Sequence, residues 1–172
     1  MLLETLHSRR SIRQFTNTPI SQTQIDHLKE VALRAPTSRG LNPWRFAFVT
    51  NPVLLSKLAQ AKTNGSAFLD NCKLAVVISA DTSCSDVWIE DCSIAAICLQ
   101  LAATDLGLGS CWAQIRLRPH DDNSSASEFV QSLLDMPDNR AVVSIIGIGH
   151  PNEKKEPHNK NDLPWAHIQD FT

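Results

Sequence analysis

The sequence predicts an α+β domain, one central β-sheet flanked by helices, and three observations predict it. Four short apolar runs with strand character, at residues 44–50, 74–78, 111–115 and 141–148, lie between stretches of helical periodicity. The 172 residues, 42% of them apolar, suffice for one substantial core, and no linker divides them. The longest helical stretch, 86–106, is apolar nearly all round from Ile94 to Ala103, which suits burial on several faces at the centre of a domain or a subunit interface. The order of strands and helices alone also fits a doubly wound parallel sheet.

Leu2 to Leu6 starts a short helix that leads into a cluster of arginines. Ser21 with Gln24 three residues on forms a capping box, and Ile20 and Ile25 sit at the staple positions around it. The helix that follows buries Ile25, Leu28, Ala32 and Ala35 and stops at Pro36. Trp44, Phe46 and Phe48 alternate along a strand. Asn51-Pro52 reads as an N-cap with proline at the first helical position, and Leu54, Leu58 and Ala61 mark the inner face. After the loop Asn64-Gly65-Ser66, the run 74–78 is a buried strand.

Gly107 caps the long helix, and Leu108-Gly109-Ser110 reads as a tight exit turn. Residues 120–127 are a polar loop. Phe129, Val130, Leu133 and Leu134 form a short helix stopped by Met136-Pro137, and Gly149-His150-Pro151 closes the last strand. Residues 1–150 thus make the domain. Residues 151–172 are a polar tail with apolar anchors at Leu163, Trp165, Ile168 and Phe171 and no core of their own; such a tail lies on its own domain or reaches across a second subunit.

A net charge of −2 argues against nucleic acid or a membrane surface as partner. No apolar run approaches the roughly 20 residues of a membrane span, and Met1-Leu2-Leu3-Glu4 lacks the basic and apolar regions of a signal peptide. The five cysteines are odd in number and contain no CxxC, against both a disulfide framework and a zinc site. A reducing cytoplasm is the expectation.

Two segments carry chemistry. Arg9-Arg10-Ser11-Ile12-Arg13-Gln14-Phe15 places three guanidinium groups and a hydroxyl in five residues. Arginine's rigid fork of donors matches the oxygens of a phosphate monoester, which carries nearly two negative charges at neutral pH. On charge count alone a solvated basic turn fits as well. The second segment, Ala35-Pro36-Thr37-Ser38-Arg39-Gly40-Leu41-Asn42-Pro43-Trp44-Arg45-Phe46, sets hydroxyls and an amide beside an aromatic strand, a lining suited to a flat heterocycle and also to an ordinary loop.

Taken in order, these segments, the helix with Glu90-Asp91-Cys92-Ser93-Ile94-Ala95-Ala96, the run Gly107-Leu108-Gly109-Ser110-Cys111-Trp112 and the close Ile146-Gly147-Ile148-Gly149-His150-Pro151 span almost the whole chain. In them the chain resembles the nitroreductase family of flavoenzymes. The resemblance implies a mixed, mainly antiparallel sheet and an intertwined homodimer that binds FMN at its interface, with the tail packing on the partner. It implies that Arg9, Arg10, Ser11 and Arg13 hold the phosphate, helped by Lys160, with Lys154 the second candidate. Pro36, Thr37 and Ser38 come from the other subunit to the ring, with Gly40 and Asn42 beside them. Leu108, Gly109 and Ser110 lie near the reactive N5 edge, where a backbone N–H donates and glycine allows close approach. The family usually has Asn at Gly40 and Gln at Asn42, so the contact to the pyrimidine edge is lost or passes to Asn42.

The activity implied is ping-pong transfer of electrons from NADH or NADPH through flavin N5 to a nitroaromatic, quinone or similar small-molecule acceptor. No catalytic side chain and no metal is expected. The chain is short for the family, which implies an open pocket. A flavin-binding or flavin-storage protein with little turnover is the alternative; a nucleic-acid module built on the arginines is disfavoured by the neutral charge. Cys111 beside Trp112 is read as packing, and His120, His150, His158 and His167 as surface residues.

Overall fold

In a computed structural model, which describes residues 2–171, the chain forms Leu2–Ser8 (α1), Gln22–Leu33 (α2), Trp44–Val49 (β1), Pro52–Ala59 (α3), Leu74–Asp81 (β2), Trp88–Asp105 (α4), Gly109–Gln114 (β3), Ala126–Leu133 (α5) and Arg140–Gly149 (β4). The strands form one sheet in the order β1-β2-β4-β3, every neighbouring pair antiparallel. The expected mixture of directions is therefore absent from the sheet itself. Among the described residues the parallel pairing is a single bridge, Ser11 to Ser110.

β2 and β4 form the buried centre, and their alternate residues supply two cores. Val77 and Ile145 face one side, with Ile12, Phe15, Leu58 and Leu69. Val76 and Ile146 face the other, with Leu28 of α2 and Leu99 of α4. Fully burying one such side chain contributes about 1.5–3 kcal/mol, so each layer fixes what lies on it.

The capping box of α2 forms as expected: the Ser21 hydroxyl accepts from the Gln24 amide, and the Gln24 side chain accepts from the Ser21 amide. The helix ends at Leu33, before Pro36; Ala35 is buried from the loop beyond it. Asn51 caps α3, whose buried face carries Leu55 and Leu58, with Leu54 only half-buried and Ala61 past the helix end. α5 begins at Ala126 inside the expected loop, because Ser125 and Glu128 make a second capping box. Gly109 and Ser110 are not a turn but the first residues of β3. Gly107, at φ 73°, makes the exit alone, with the Leu108 amide donating to the Ala103 carbonyl at 2.8 Å.

α4 approaches the sheet through Ala95, Ala96, Leu99 and Ala103, all buried. Its outer face leaves Ile94 and Ile97 exposed at 39% and 38%. In the tail Leu163, Trp165, Ile168 and Phe171 are exposed as well. Among the described residues no helix is long and apolar enough to cross a membrane, and no cluster of side chains suits a metal ion. The five cysteines are free thiols. Burial pushes Cys72 and Cys92 up to about 12 and also raises Cys111, which fits packing and not a thiolate nucleophile. His120 is half-buried rather than free on the surface: it stacks on Phe129 at 4.0 Å between ring centroids, and its Nδ1 lies 3.1 Å from the Ala61 carbonyl.

Candidate cofactor site

The arginine segment is laid on the sheet by its two apolar residues. Ile12 and Phe15 are buried, and each covers a glycine of an underlying strand. A Cβ on Gly109 would stand 2.8 Å from Ile12, and one on Gly149 would stand 2.9 Å from Phe15. Those glycines are needed so that chain can pack on chain. The Ile12 amide donates to the Ser110 carbonyl at 3.0 Å, and the Thr16 amide to the His150 carbonyl at 2.9 Å. With Ile12 and Phe15 pinned inward, Arg13 is left exposed and Arg9 and Arg10 half-buried.

The chain after β4 returns over the same segment. The Glu153 carboxylate accepts from the amides of Arg13 at 2.5 Å and Gln14 at 3.2 Å, which holds its carboxyl below the usual glutamate range. Lys155 donates to the Ser11 carbonyl at 2.6 Å and lies 3.4 Å from Glu153, and Arg10 donates to the Glu156 carbonyl. A cleft of about 270 Å³ remains, lined by Arg9, Arg10, Lys154 and Lys155 on one side and by Thr104 and 107–109 on the other. Glu153 is the only acid lining it. Among the described residues neither Arg9 nor Arg13 has a side-chain ion pair. A cleft with several cations and one committed carboxylate fits a phosphate group.

The cations differ in part from those expected. Arg9, Arg10 and the second candidate Lys154 line the cleft and Lys155 joins them; Ser11 and Arg13 are not among its lining, and Lys160 is exposed in a short turn, Lys160–Asp162, where its carbonyl accepts from the Trp165 indole. Lys155 and Glu153 carry no local signal that separates them from other charges of a polar tail. Leu108, Gly109 and Ser110 border this half, but the Leu108 amide caps α4, the Ser110 carbonyl holds Ile12, and the free space at Gly109 is taken by Ile12. The buried Ser110 hydroxyl has no partner.

The second segment is built differently. Arg39, Gly40 and Asn42 have φ of 55°, 67° and 48°, left-handed conformations either side of the right-handed Leu41, which cost roughly 1–2 kcal/mol at each non-glycine residue. Polar bonds hold it. The Thr37 hydroxyl donates to Asn42 Oδ1 at 2.9 Å and accepts from the Asn42 amide at 3.1 Å. The Ser38 amide donates to Asp91 Oδ1 at 2.8 Å, and Arg39 pairs with Asp86. The Asn42 side-chain oxygen is thus already engaged, and Pro36 and Gly40 are exposed beside it. Asp91, on the first turns of α4, has no mark in the sequence beyond its place in the segment 90–96, where it stands beside another acid.

The two halves do not meet within one chain. Ser38 is tied to Asp91 near the start of α4, and the cleft opens past its end at Gly107. Those 16 positions span roughly 24 Å at 1.5 Å per residue.

Comparison with known proteins follows this geometry. The family model "Nitroreductase family" matches residues 6–76 and 60–150. A protein of Archaeoglobus fulgidus named for NADH dehydrogenase and NAD(P)H nitroreductase is 33% identical, over 93% of this chain and 91% of its own. An FMN-dependent nitroreductase from Clostridium difficile superimposes with a TM-score of 0.97 at 41% identity, covering 99% of each chain. The NADPH:FMN oxidoreductase of Vibrio harveyi, solved with NAD+, gives 0.81 at 25% identity over 99% of this chain and 77% of that one.

Proposed function

The chain belongs to the nitroreductase family of oxidoreductases, and on that premise we propose that it binds FMN and passes electrons from NADH or NADPH to a nitroaromatic, quinone or similar acceptor in a ping-pong cycle. The observation that carries this reading is the cleft at the end of α4, lined by Arg9, Arg10, Lys154 and Lys155 against a single carboxylate already engaged elsewhere. When bound, FMN would supply the redox chemistry, hydride and electron exchange at its N5 edge, for donor and acceptor alike.

The work of the protein is to bind and orient. Arg9, Arg10, Ser11 and Arg13 hold the phosphate, with Lys154 and Lys155 in the part expected of Lys160. The edge Leu108–Ser110 borders the ring. Pro36, Thr37, Ser38, Gly40 and Asn42 approach it from a second copy of the chain. The roughly 24 Å between the halves supports this division, since two α4 helices paired antiparallel about a two-fold axis bring each loop to the other chain's cleft. Exposed Ile94 and Ile97 give that pairing an apolar seam, and the apolar anchors of the tail are matched to packing on the partner.

The test is an Arg9→Ala, Arg13→Ala double variant. Its FMN affinity is expected to fall at least about 100-fold, the loss of two charge-assisted hydrogen bonds, and unchanged affinity overturns the phosphate role. Anaerobic NADH or NADPH is expected to bleach the bound flavin, and a nitro compound or quinone to restore its colour. Bleaching without restoration would identify a flavin-binding protein with little turnover.

A further inference from the structure

We propose that Asp91 is a positioning residue: from within the core it holds the Thr37–Asn42 loop in the form that meets the flavin ring. Its geometry is independent of the flavin reading; its consequence for the ring rests on that reading. Asp91 is 2% exposed and is the one charged side chain among the buried residues described. A buried carboxylate is costly unless its oxygens are engaged. Here Oδ1 accepts from the Ser38 amide at 2.8 Å, and Oδ2 is buried with no partner. The core thus keeps an expensive group for one bond, and that bond ends in the middle of the loop.

The loop needs such a bond. Arg39 and Asn42 are held at left-handed φ, which the backbone of a non-glycine residue does not prefer. The other restraints are weaker. Arg39–Asp86 is an exposed ion pair, with side chains 63% and 77% accessible, Thr37–Asn42 closes the loop only on itself, and the Arg45 guanidinium donates to the Asn42 carbonyl at 2.9 Å at an exposed point at the loop's end. Asp91 ties the loop to a rigid helix at a protected point. It also stands three residues before Ile94, so one helix carries both the anchor and the exposed seam. The ring loop is thereby indexed to the helix proposed to pair with its copy.

The experiment uses the full chain and two variants, Asp91→Ala and Asp91→Asn; the asparagine keeps the size and an acceptor for Ser38. The first readout needs no flavin: the rate at which trypsin cuts after Arg39 in the protein freed of flavin. Asp91→Ala is expected to speed that cut about tenfold or more, the loss of one charge-assisted bond, while Asp91→Asn stays within about threefold of the parent. The second is affinity for FMN and for riboflavin, with the visible circular dichroism of the saturated flavin. Asp91→Ala is expected to weaken both ligands by the same factor, about 10- to 100-fold, and to change the dichroism. Arg9→Ala is expected to weaken FMN alone. An unchanged cutting rate in Asp91→Ala, or cutting raised equally at every site, overturns the positioning role. Failure of the parent to bind FMN overturns the proposed function and leaves the cutting result to decide this one.

Discussion

The two halves of the candidate site contrast in what holds them. The arginine segment is held by apolar packing: Ile12 and Phe15 sit on the bare backbone of Gly109 and Gly149, and the sheet decides where the guanidinium groups stand. The Thr37–Asn42 loop is held by polar bonds against an unfavourable backbone, with one carboxylate reaching it from α4. The phosphate half is therefore as rigid as the core, and substitutions that disturb it will be felt as lost stability. The ring half is adjustable, and substitutions there will be felt mainly in affinity and in the flavin's environment.

The sharpest way to break the comparison is to separate the halves. Ile94→Glu with Ile97→Glu puts two charges on the exposed seam of α4 without altering a residue of either half. The variant is expected to run as a folded monomer in sedimentation and to lose FMN binding by about 100-fold or more, since burying unpaired charge in an interface costs several kcal/mol. A monomer that keeps full affinity would mean that one chain completes the site.

Gly109→Val tests the packed half. The added Cβ would lie within 2.8 Å of Ile12, so the strand or the segment has to shift. A loss of about 1–3 kcal/mol in chemical denaturation is expected, the usual cost of overpacking. Thr37→Val tests the other half. It removes both bonds between Thr37 and Asn42 and leaves the core alone. Stability should fall by about 1 kcal/mol or less, and the flavin spectrum should move more than the melting temperature does. If Gly109→Val and Thr37→Val act alike on stability and spectrum, the contrast between the halves is wrong.

This contrast also accounts for what the sequence made legible. Periodicity and capping rules located α2, β1, β2 and α4, because each obeys a local rule: a Ser21–Gln24 box, alternating aromatics, a continuous apolar run, an all-apolar face. Gly109 and Ser110 suggest a turn because glycine usually marks one, but here glycine makes room for a residue nearly a hundred positions earlier. The inner face of α3 shifts from Leu54 to Leu55 because only packing separates two adjacent leucines. In the site, the arginine cluster stood out by charge density. Lys155 and Glu153 did not, since their role exists only once the tail folds back on residues 11–14. Asp91 is hidden for a similar reason: beside Glu90 in the first turn of a helix it looks like a surface acid until its burial is known.

The tail strap gives a prediction in pH. The Glu153 carboxyl is held low by the Arg13 amide first, then by Gln14 and Lys155. A group lowered on folding stabilises above its unfolded value, about 4.3 for glutamate, and that contribution is lost as pH falls through the lower folded value. The strap is thus expected to stay closed at pH 5 and to open in stronger acid. Proteolysis within 154–160 by an acid-active protease reads this directly, and Glu153→Gln is expected to loosen the strap modestly at neutral pH. An equal rate of cutting at pH 5 and pH 3 would show that Glu153 does not hold it.

The smallest expected effect comes from Gly40, and it bears most closely on the ring half. Gly40 has φ 67°, and a Cβ there would meet nothing within 4 Å. Space therefore does not demand glycine; only the left-handed backbone favours it, and asparagine tolerates that conformation better than most residues. Gly40→Asn, which supplies the residue usual in the family, is expected to change stability by only about 0.5 kcal/mol, because Asp91 and Thr37 already hold the loop. Its side chain adds an amide next to Asn42, whose own oxygen is engaged by Thr37. If the pyrimidine edge of the flavin lies there, FMN and riboflavin should each bind a few-fold tighter, about 1 kcal/mol for one neutral hydrogen bond. Tighter binding would mean that this chain has a loop of the right shape with one contact left out. Unchanged binding with unchanged stability would mean that the ring edge is served elsewhere, and that Gly40 reflects the openness of the pocket.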